Sequence, residues 1–264
     1  MMKMNTLLAK VEHSTSSFNR MIADYYVFFS KKQGMFEGIK KTFKPREGYQ
    51  EDASKMGTTK VATTVGEKLD WFEGNAIPHL KDVFSVESTN SKGAYKVELK
   101  VGDISFGFLT ALDLMRLKTL LTKKEWEQMY DNIPVRSDSE VWVACTDPEY
   151  NGREIYQTPM QVGVSRTTES EEIILKDPNI DPAHLPANYR ASITTKKRTV
   201  ETGDYTIQKF TGAWTQRQKA EVLRRRSQLL AAVTEALKEV NDVETEKPNL
   251  NVNTLINFLH KGEI

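Results

Sequence analysis

Residues 215–240 read TQRQKAEVLRRRSQLLAAVTEALKEV, the strongest secondary-structure pattern in the chain. Thr215 and Gln218 stand three residues apart, which is the spacing of a capping box at the start of a helix. Apolar residues then recur at steps of three and four, which places them on one helical face. They are Val222, Leu223, Leu229, Leu230, Val233, Ala236, Leu237 and Val240. The stretch therefore predicts one long amphipathic helix.

One arginine, Arg226, interrupts this apolar face. In the first interpretation its stem lies along a core contact within the chain while its head reaches water. In the second it meets a carboxylate across a subunit contact, as polar residues in helical seams do when they fix register. The second interpretation predicts self-association through this helix and a short C-terminal helix. The residues of that surface are Arg226, Val222, Leu229, Val233, Leu255, Phe258 and Leu259.

Three further helices are indicated upstream. Apolar and aromatic residues over 18–29 follow helical spacing and are followed by the usual stop signals. Residues 109–121 form a second periodic stretch, opened by Thr110. Thr122 and Glu125 repeat the capping-box spacing and predict a short third helix. The last two helices form a central pair that we expect to cover a hairpin.

The hairpin is predicted from the alternation of apolar and polar residues over 95–101 and 104–108. Gly102 and Asp103 between these segments suit a two-residue turn. Such a turn gives the hairpin one apolar face with three cross-strand pairs. The pairs are Val101 with Ile104, Leu99 with Phe106 and Val97 with Phe108.

Strand patterns dominate the second half of the chain as far as residue 214. They cover residues 141–145, 153–157, 161–166 and 172–175, followed by a hairpin that joins 193–200 to 205–210 around Gly203. The order helix, strands, helices, strands, helix predicts an α+β fold with a mainly antiparallel sheet. Its landmarks are an N-terminal aromatic helix, a central helix pair and a long C-terminal helix.

Residues 176–192 contain three prolines and predict an extended linker, because proline disfavours helix in itself and in the residue before it. The chain would then divide into an α+β region over 1–175 and a region over 193–264. The second region holds a basic hairpin, the long helix and the short C-terminal helix. The alternative is one continuous domain.

The composition is that of a globular protein, with 264 residues, 39% hydrophobic residues and a net charge of +1. A near-neutral charge predicts neither nucleic-acid binding nor its avoidance. The single Cys145 excludes an internal disulfide and a multi-cysteine metal site, which fits a reducing compartment. The sequence has no apolar run of signal-peptide or membrane-spanning length. A cytoplasmic protein without a membrane partner is expected.

The sequence contains no recognisable catalytic, cofactor or metal motif. His13, His79, His184 and His260 are scattered, without the spacing by which a helix or loop offers two metal ligands. Acidic clusters such as 169–172 lack the spaced pattern of a calcium loop, and a solvated acidic face explains them better. We therefore predict no catalytic residue, no cofactor and no metal.

Charge is distributed unevenly along the chain. Residues 190–226 hold ten basic residues against three acidic ones, whereas residues 138–154 hold five acidic residues against one basic. Complementary surfaces of this kind steer association, or lie against each other within one fold. The basic module also contains aromatic residues, a mixture used on single-stranded nucleic acid. Its candidate nucleic-acid contacts are Lys196, Lys197, Arg198, Lys209, Arg217 and Arg224.

Several short blocks resemble a widespread, uncharacterised family of bacterial proteins. The blocks read GDY at 203–205, KFTG at 209–212 and EVL at 221–223. The segments IPV at 133–135 and FL at 258–259 are also similar. The resemblance implies a bacterial, cytoplasmic setting and brings no activity, cofactor or site residue.

The sequence favours a non-catalytic structural or interaction protein that associates with itself into a homo-oligomer or larger assembly. A C-terminal helix packed on a neighbouring protomer is part of this expectation, with docking on its own chain as the alternative. A nucleic-acid-binding accessory protein that uses residues 190–226 is the second hypothesis. An enzyme with dispersed site residues is the third.

Overall fold

The computed structural model describes residues 3–175, 192–242, 252–253 and 255–256. Within them, α-helices and antiparallel strands are mixed, which confirms the predicted α+β class. The helices are α1 Met4–Lys31, α2 Val65–Asn90, α3 Ala111–Leu121, α4 Lys124–Asp131 and α5 Gln216–Val240. The strands are β1 Glu37–Pro45, β2 Gly57–Thr59, β3 Val97–Val101, β4 Ile104–Leu109, β5 Val143–Ala144, β6 Tyr156–Gln157, β7 Gln161–Leu175 and β8 Ser192–Thr211.

The chain divides into two compact units. Unit 1 comprises Met1–Ile22, Ile77–Gln128 and Glu221–Ile264, and unit 2 comprises Ala23–Ala76 and Met129–Ala220. Helices α1, α2, α4 and α5 each contribute one part to each unit. Residues 176–191 of the predicted linker lie outside the described residues, and the predicted domain boundary there stays a prediction.

Unit 2 contains one antiparallel sheet with strand order β2, β1, β8, β6, β5, and with β7 paired to β8. The long strand β8 holds the sheet together. It pairs with β1 over residues 203–211 and with β7 over residues 192–207. Two-residue strands, β5 and β6, stand where longer ones were predicted at 141–145 and 153–157.

The predicted hairpin around Gly203 is wrong, because the chain runs through this residue as a single strand. Gly203 is buried, and a Cβ placed there would lie 2.4 Å from the Phe43 ring and 2.7 Å from the Lys44 carbonyl oxygen. The glycine therefore permits the close approach of β1 and does not form a turn. The strands predicted at 161–166 and 172–175 likewise merge into the single strand β7.

The predicted aromatic N-terminal helix is confirmed. Within unit 2, the ring of Phe29 lies 6.0 Å from that of Phe36, and the ring of Tyr25 lies 5.2 Å from that of Phe72. The Tyr25 hydroxyl donates to the carbonyl oxygen of Lys68 at 2.7 Å. Burial raises the pKa of Tyr25 to about 12. The ring therefore contributes apolar area while its polar end keeps a partner.

Unit 1 is organised around the apolar face of α5. A buried cluster joins this face to β3 and α3 and comprises Val97, Leu99, Leu114, Leu121, Val233, Ala236, Leu237 and Val240. Leu229 and Leu230 pack against the cluster. Most of the predicted amphipathic stripe is therefore used within the unit, where burial of each large side chain contributes about 1.5–3 kcal/mol.

Two predicted helix caps are present and one is not. At α5, the Thr215 amide donates to Gln218 Oε1 at 2.8 Å and the Gln218 amide donates to Thr215 Oγ1 at 3.1 Å. Thr110 caps α3 as predicted, in a reciprocal capping box. Thr122 does not open α4 as predicted, because its hydroxyl donates to the carbonyl of Lys118 at 2.9 Å and closes α3.

The sequence prediction missed α2, although a local signal for its start was available. Thr64 and Glu67 form a capping box, with amide-to-side-chain bonds of 2.9 and 3.1 Å. Pro78 inside the helix obscures the pattern, since proline normally ends a helix. Arg153 donates from Nε to Glu67 Oε1 at 2.6 Å, and this bond lowers the pKa of Glu67 to about 2.

The β3–β4 hairpin keeps the predicted turn but not the predicted register. Val101 pairs with Ile104 as expected. The ladder then shifts by one residue, so that Gly107 and not Phe106 lies opposite Leu99. Gly107 has a φ of 103°, which favours glycine and allows the chain to form this bulge.

The bulge reverses which side chains of β4 point outward. Phe108 lies opposite Glu98 instead of Val97. Phe106 and Phe108 are 50% and 66% exposed, whereas Val97 and Leu99 are buried. The predicted pairs Leu99–Phe106 and Val97–Phe108 are therefore wrong, and the hairpin presents aromatic rings to solvent.

The packing at Gly203 predicts a stability defect. We expect Gly203→Ala to lower the free energy of unfolding by about 1–3 kcal/mol, the usual cost of overpacking a well-packed site. The Lys44 carbonyl belongs to the backbone of β1 and can move only if the β1–β8 ladder distorts. Chemical denaturation measures the change.

Gly34→Ala is the matched control, because no atom lies within 4 Å of a Cβ placed at Gly34. Its free energy of unfolding should stay within about 0.5 kcal/mol of wild type. Equal stabilities of the two variants would contradict the close approach of β1 at Gly203.

Candidate interaction surfaces

The distal parts of β7 and β8 form a two-stranded arm, which we define as residues 166–175 and 192–201. β1 ends at Pro45, so within the described ranges no strand covers the β8 edge of the arm. In those same ranges β7 pairs with β8 alone. The side chains of residues 166–172 and 193–199 are exposed. The arm is thus a paired ribbon with two open edges.

The two strands of the arm carry opposite charges. In the register of the sheet, Glu169 lies opposite Arg198 and Glu171 lies opposite Lys196. Opposite charges that face each other across an antiparallel pair stabilise it by about 0.2–1 kcal/mol. The acidic cluster and the basic run, which are remote in sequence, therefore form one ribbon with an acidic β7 edge and a basic β8 edge.

Polar contacts fix the base of the arm. Glu201 pairs with Arg46 and also accepts a bond from Arg166 Nη2 at 3.1 Å. The Arg166 bond is the main cause of a lowered pKa at Glu201, followed by the charge of Arg46. Thr202 donates its hydroxyl to Ser165 Oγ at 3.0 Å, where the β7–β8 register shifts. The arm therefore starts from a defined position, and no other described strand pairs with its outer edges.

The six predicted nucleic-acid contacts are distributed over both units. Residues 196–198 lie on the arm, where Lys196 and Arg198 face glutamates and Lys197 faces Ser170. Lys209 forms an ion pair with Glu140, one of the acidic residues of 138–154. Arg217 is exposed in the first turn of α5, and Arg224 bonds a glutamate of its own helix at 3.1 Å. Acidic neighbours thus offset much of the basic module.

Arg226 is held within unit 1 by contacts to its own chain. Its Nη1 donates to Glu127 Oε1 at 3.1 Å and its Nη2 donates to the carbonyl of Leu121 at 2.9 Å. The side chain is 14% exposed, and the buried Nε has no acceptor among the described residues. The carboxylate beside Arg226 therefore belongs to its own chain, and the side chain is mostly buried, whereas the first interpretation placed its head in water. A role at a subunit contact stays a prediction.

Two of the other predicted self-association residues of α5, Leu229 and Val233, pack within the unit. Val233 has no exposed surface. Leu229 packs against the same buried cluster, and Val222 is half-buried. A subunit contact through these residues stays a prediction.

The C-terminal segment is described only in part. Leu255 is 39% exposed, and the neighbouring Val252 and Ile256 are 48% and 43% exposed. Phe258 and Leu259 lie outside the described residues. These three described side chains present apolar surface to solvent. The packing of the predicted helix, on a neighbouring protomer or on its own chain, stays a prediction.

Unit 2 also contains a cavity of about 550 Å³ that the sequence did not predict. This volume is within the range of about 300–1,000 Å³ that is usual for small-molecule sites. Its polar and aromatic lining includes Glu37, Arg136, Glu140, Trp142, Lys209 and Phe210. These residues come from segments far apart in sequence, so no local motif marks the site.

Arg136 is the distinctive group of this cavity. Its Cζ lies 3.8 Å from the centroid of the Tyr156 ring. Its Nη1 is buried and has no acceptor among the described residues. Glu140, a carboxylate of the same wall, is already paired with Lys209. The guanidinium therefore keeps hydrogen-bonding capacity that the described protein does not use.

Ser14 and His79 form a close pair in unit 1, with Oγ and Nδ1 at 2.7 Å. A serine beside a histidine is one arrangement of a nucleophile and its base. Ser14 also donates to the carbonyl of Val11 at 3.1 Å, and the centroid of the buried His79 ring lies 4.4 Å from that of Phe18. Burial lowers the pKa of His79. We interpret the pair as a satisfied core contact.

The described ranges contain no group of three or more His, Cys, Asp or Glu residues that could hold a metal. Cys145 is a free thiol with its Sγ 3.2 Å from Gln157 Oε1. Among the described helices, none combines the length and the apolar character needed to cross a membrane.

The contacts of Arg226 predict the effect of reversing its charge. Arg226→Glu should lower the free energy of unfolding by about 2 kcal/mol, since a hydrogen bond to a charged group is worth about 1.5–3 kcal/mol. The new carboxylate would also repel Glu127 and the Leu121 carbonyl. Chemical denaturation measures this loss, and light scattering measures the oligomer mass.

Arg225→Glu is the matched control, because Arg225 is exposed and donates to the carbonyl of Glu221 in the preceding turn. It should change stability by no more than about 0.5 kcal/mol. If Arg226→Glu instead reduces oligomer mass and leaves the protomer stable, the contact between subunits is the correct interpretation.

Comparison with known proteins places the chain in a family. No curated protein and no solved structure matches the sequence significantly. A family profile described as a family of unknown function, DUF7873, matches residues 1–263. The match confirms the resemblance to an uncharacterised family, and it extends over both units. The chain belongs to the family of unknown function DUF7873.

Proposed function

We propose that this protein is a self-associating structural or interaction protein whose copies join head to tail through the arm. The observation that carries this proposal is the pair of open strand edges on residues 166–175 and 192–201. A cytoplasmic setting is part of the proposal. It is supported by the single cysteine, Cys145, which is a free thiol.

Unpaired edges favour the addition of another strand. An isolated two-stranded ribbon is marginally stable in water, and three or more strands or a packed face are needed for independent stability. The arm extends past the end of β1 at Pro45 without such support from the described strands. A strand from a second copy would satisfy the open backbone groups and turn an edge into an interior strand.

The charges of the two edges favour one order of assembly. If two β8 edges met, the cations of residues 196–198 in one copy would face the same cations of the other. Two β7 edges would set glutamates against glutamates. Like charges directly opposite each other are destabilising. A β7 edge beside the β8 edge of the next copy sets acids against bases and repeats the pairing already present within the arm.

Head-to-tail contacts of this kind are heterologous, so they propagate into a ring or a filament unless the rotation closes at two copies. Unit 1 supports association with additional exposed apolar side chains. Those on the hairpin are Ile104, Phe106 and Phe108, and those near the C-terminus are Val252, Leu255 and Ile256. Monomeric proteins rarely expose large contiguous apolar patches.

A charge-swapped arm tests both the association and its order. The double-reversal variant carries lysine at Glu169, Glu171 and Glu172 and glutamate at Lys196, Lys197 and Arg198. It keeps complementary charges within each arm and between identical copies. We expect wild type and variant each to self-associate at low salt but to exclude each other from mixed oligomers, because unlike copies would meet acid to acid or base to base.

Sedimentation velocity of a mixture with one fluorescent label on each protein measures the co-assembly. Reversal of the β8 residues alone is the control, and we expect it to be monomeric, because its arm has like charges on both strands. Raising the salt concentration should weaken every assembly. A wild type that stays monomeric at all concentrations contradicts self-association. Preferential mixed oligomers contradict head-to-tail order.

Nucleic-acid binding by the basic module is the second candidate function, supported by the exposure of residues 196–198. Because glutamates lie opposite Lys196 and Arg198, we expect no sub-micromolar complex with single-stranded RNA or DNA near physiological salt. Any weak binding should fall steeply with salt, and changing the three cations to alanine should reduce the salt slope by about one unit per lost phosphate contact. Fluorescence anisotropy measures both quantities. A sub-micromolar complex that this change weakens would reverse the ranking.

A further inference from the structure

We propose that the cavity of unit 2 binds a small monoanionic carboxylate with a planar apolar body, and that Arg136 receives the carboxylate. This site goes beyond the proposed self-association. It lies against residues of β1 and the C-terminal part of β8, not against the arm. The proposal depends on the chemistry of Arg136, the charge of the cavity wall and its aromatic surface.

The guanidinium of Arg136 is arranged to accept a planar anion. Its stacking on Tyr156, 3.8 Å from Cζ to the ring centroid, leaves its N–H donors at the edge of the guanidinium plane. The buried Nη1 has no acceptor in the described part of the chain, a condition that costs free energy in a folded protein. If the guanidinium shifts so that Nη1 faces the cavity, two parallel hydrogen bonds to a carboxylate would remove this cost.

The charge of the cavity wall disfavours a ligand with several negative charges. The charged lining residues are Glu37, Arg136, Glu140 and Lys209, and their charges sum to zero. The ion pair between Lys209 and Glu140 neutralises the second cation. A nucleotide phosphate carries several charges and would meet two carboxylates in the same wall. A single negative charge can be matched by Arg136 alone.

The rest of the lining suits an apolar ring. Trp142 donates its Nε1 to the carbonyl of Ser137 at 2.8 Å, and this bond orients the indole. Ile39 and Phe210 contribute further apolar surface. Pockets for small molecules typically combine such surface with a few directed polar groups. The carboxylate would belong either to a free aromatic acid or to the C-terminus of a peptide, since both offer the same group.

Suitable probes for the full-length protein are phenylacetate, its neutral amide phenylacetamide and inorganic phosphate. Saturation-transfer NMR and calorimetric titration measure their affinities. We expect saturable binding of phenylacetate, at least about tenfold weaker binding of the amide, and no competition by phosphate, since a charge-assisted pair to arginine requires the ionised acid. An acetylated dipeptide that ends in phenylalanine distinguishes the sources, because tighter binding of this peptide identifies a chain terminus.

Arg136→Gln should weaken phenylacetate by about tenfold, and Arg136→Lys should recover only part of the loss, since lysine lacks the planar pair of donors. Arg225→Gln, an exposed arginine on α5, is the control and should bind as wild type. Circular dichroism checks that each variant is folded. If Arg136→Gln does not fold, the affinities of the wild-type protein for phenylacetate and phenylacetamide still test the proposal. Equal affinities of acid and amide, or no saturable binding at millimolar concentrations, overturns the proposal.

Discussion

Backbone hydrogen bonding along β8 is the constraint on which both candidate surfaces of unit 2 depend. Buried strand N–H and C=O groups need partners, and β8, Ser192–Thr211, is much longer than β1, Glu37–Pro45. Beside β1, the strand lies in the interior of the sheet. Beyond Arg46, whose amide donates to the Thr202 carbonyl at 3.0 Å, no described strand continues beside β8 on the β1 side, and β8 becomes an edge. One end of β8 therefore brings Lys209 and Phe210 into the cavity wall, and the other end forms the arm.

The fold places acidic residues beside the basic residues that are concentrated in one part of the sequence. Residues 190–226 carry an excess of cations, yet Arg198 lies opposite Glu169 and Lys209 pairs with Glu140. The residues expected to form one basic patch therefore belong to two features. One is a ribbon with an acidic and a basic edge, and the other is a cavity wall without net charge. Because the two edges of the ribbon carry opposite charges, the acidic edge of one copy can face the basic edge of the next. This charge pattern suits ordered contacts between copies better than contact with a uniformly anionic polymer.

In unit 1, the burial of one apolar face is accompanied by the exposure of another. Val233 of α5 packs in a cluster with Leu99 of β3, so Leu99 must point inward. The bulge at Gly107 sets a residue without a side chain opposite Leu99 and turns Phe108 outward. The aromatic residues that the alternating pattern assigned to the core therefore add to the exposed apolar surface of the unit.

Local interactions within the sequence specified much of the secondary structure. The capping box of Thr215, the stripe of α5, the aromatic helix over 18–29 and the turn at 102–103 depend on neighbours within a few residues, and all are present. The α+β class followed from the order of such elements. Capping residues also mark α2, although an internal proline hid that helix.

Only the tertiary structure decided which distant residues meet. Gly203 looks like a turn residue in sequence, but β8 runs through it and the ring of Phe43 lies close to its Cα. The carboxylate beside Arg226 and the cavity around Arg136 likewise combine segments far apart in the chain. Strand register, charge pairing and cavities depend on packing between such segments, and a local pattern contains no information about the partner. The candidate interaction residues were therefore predictable as residue types, whereas their contacts were not.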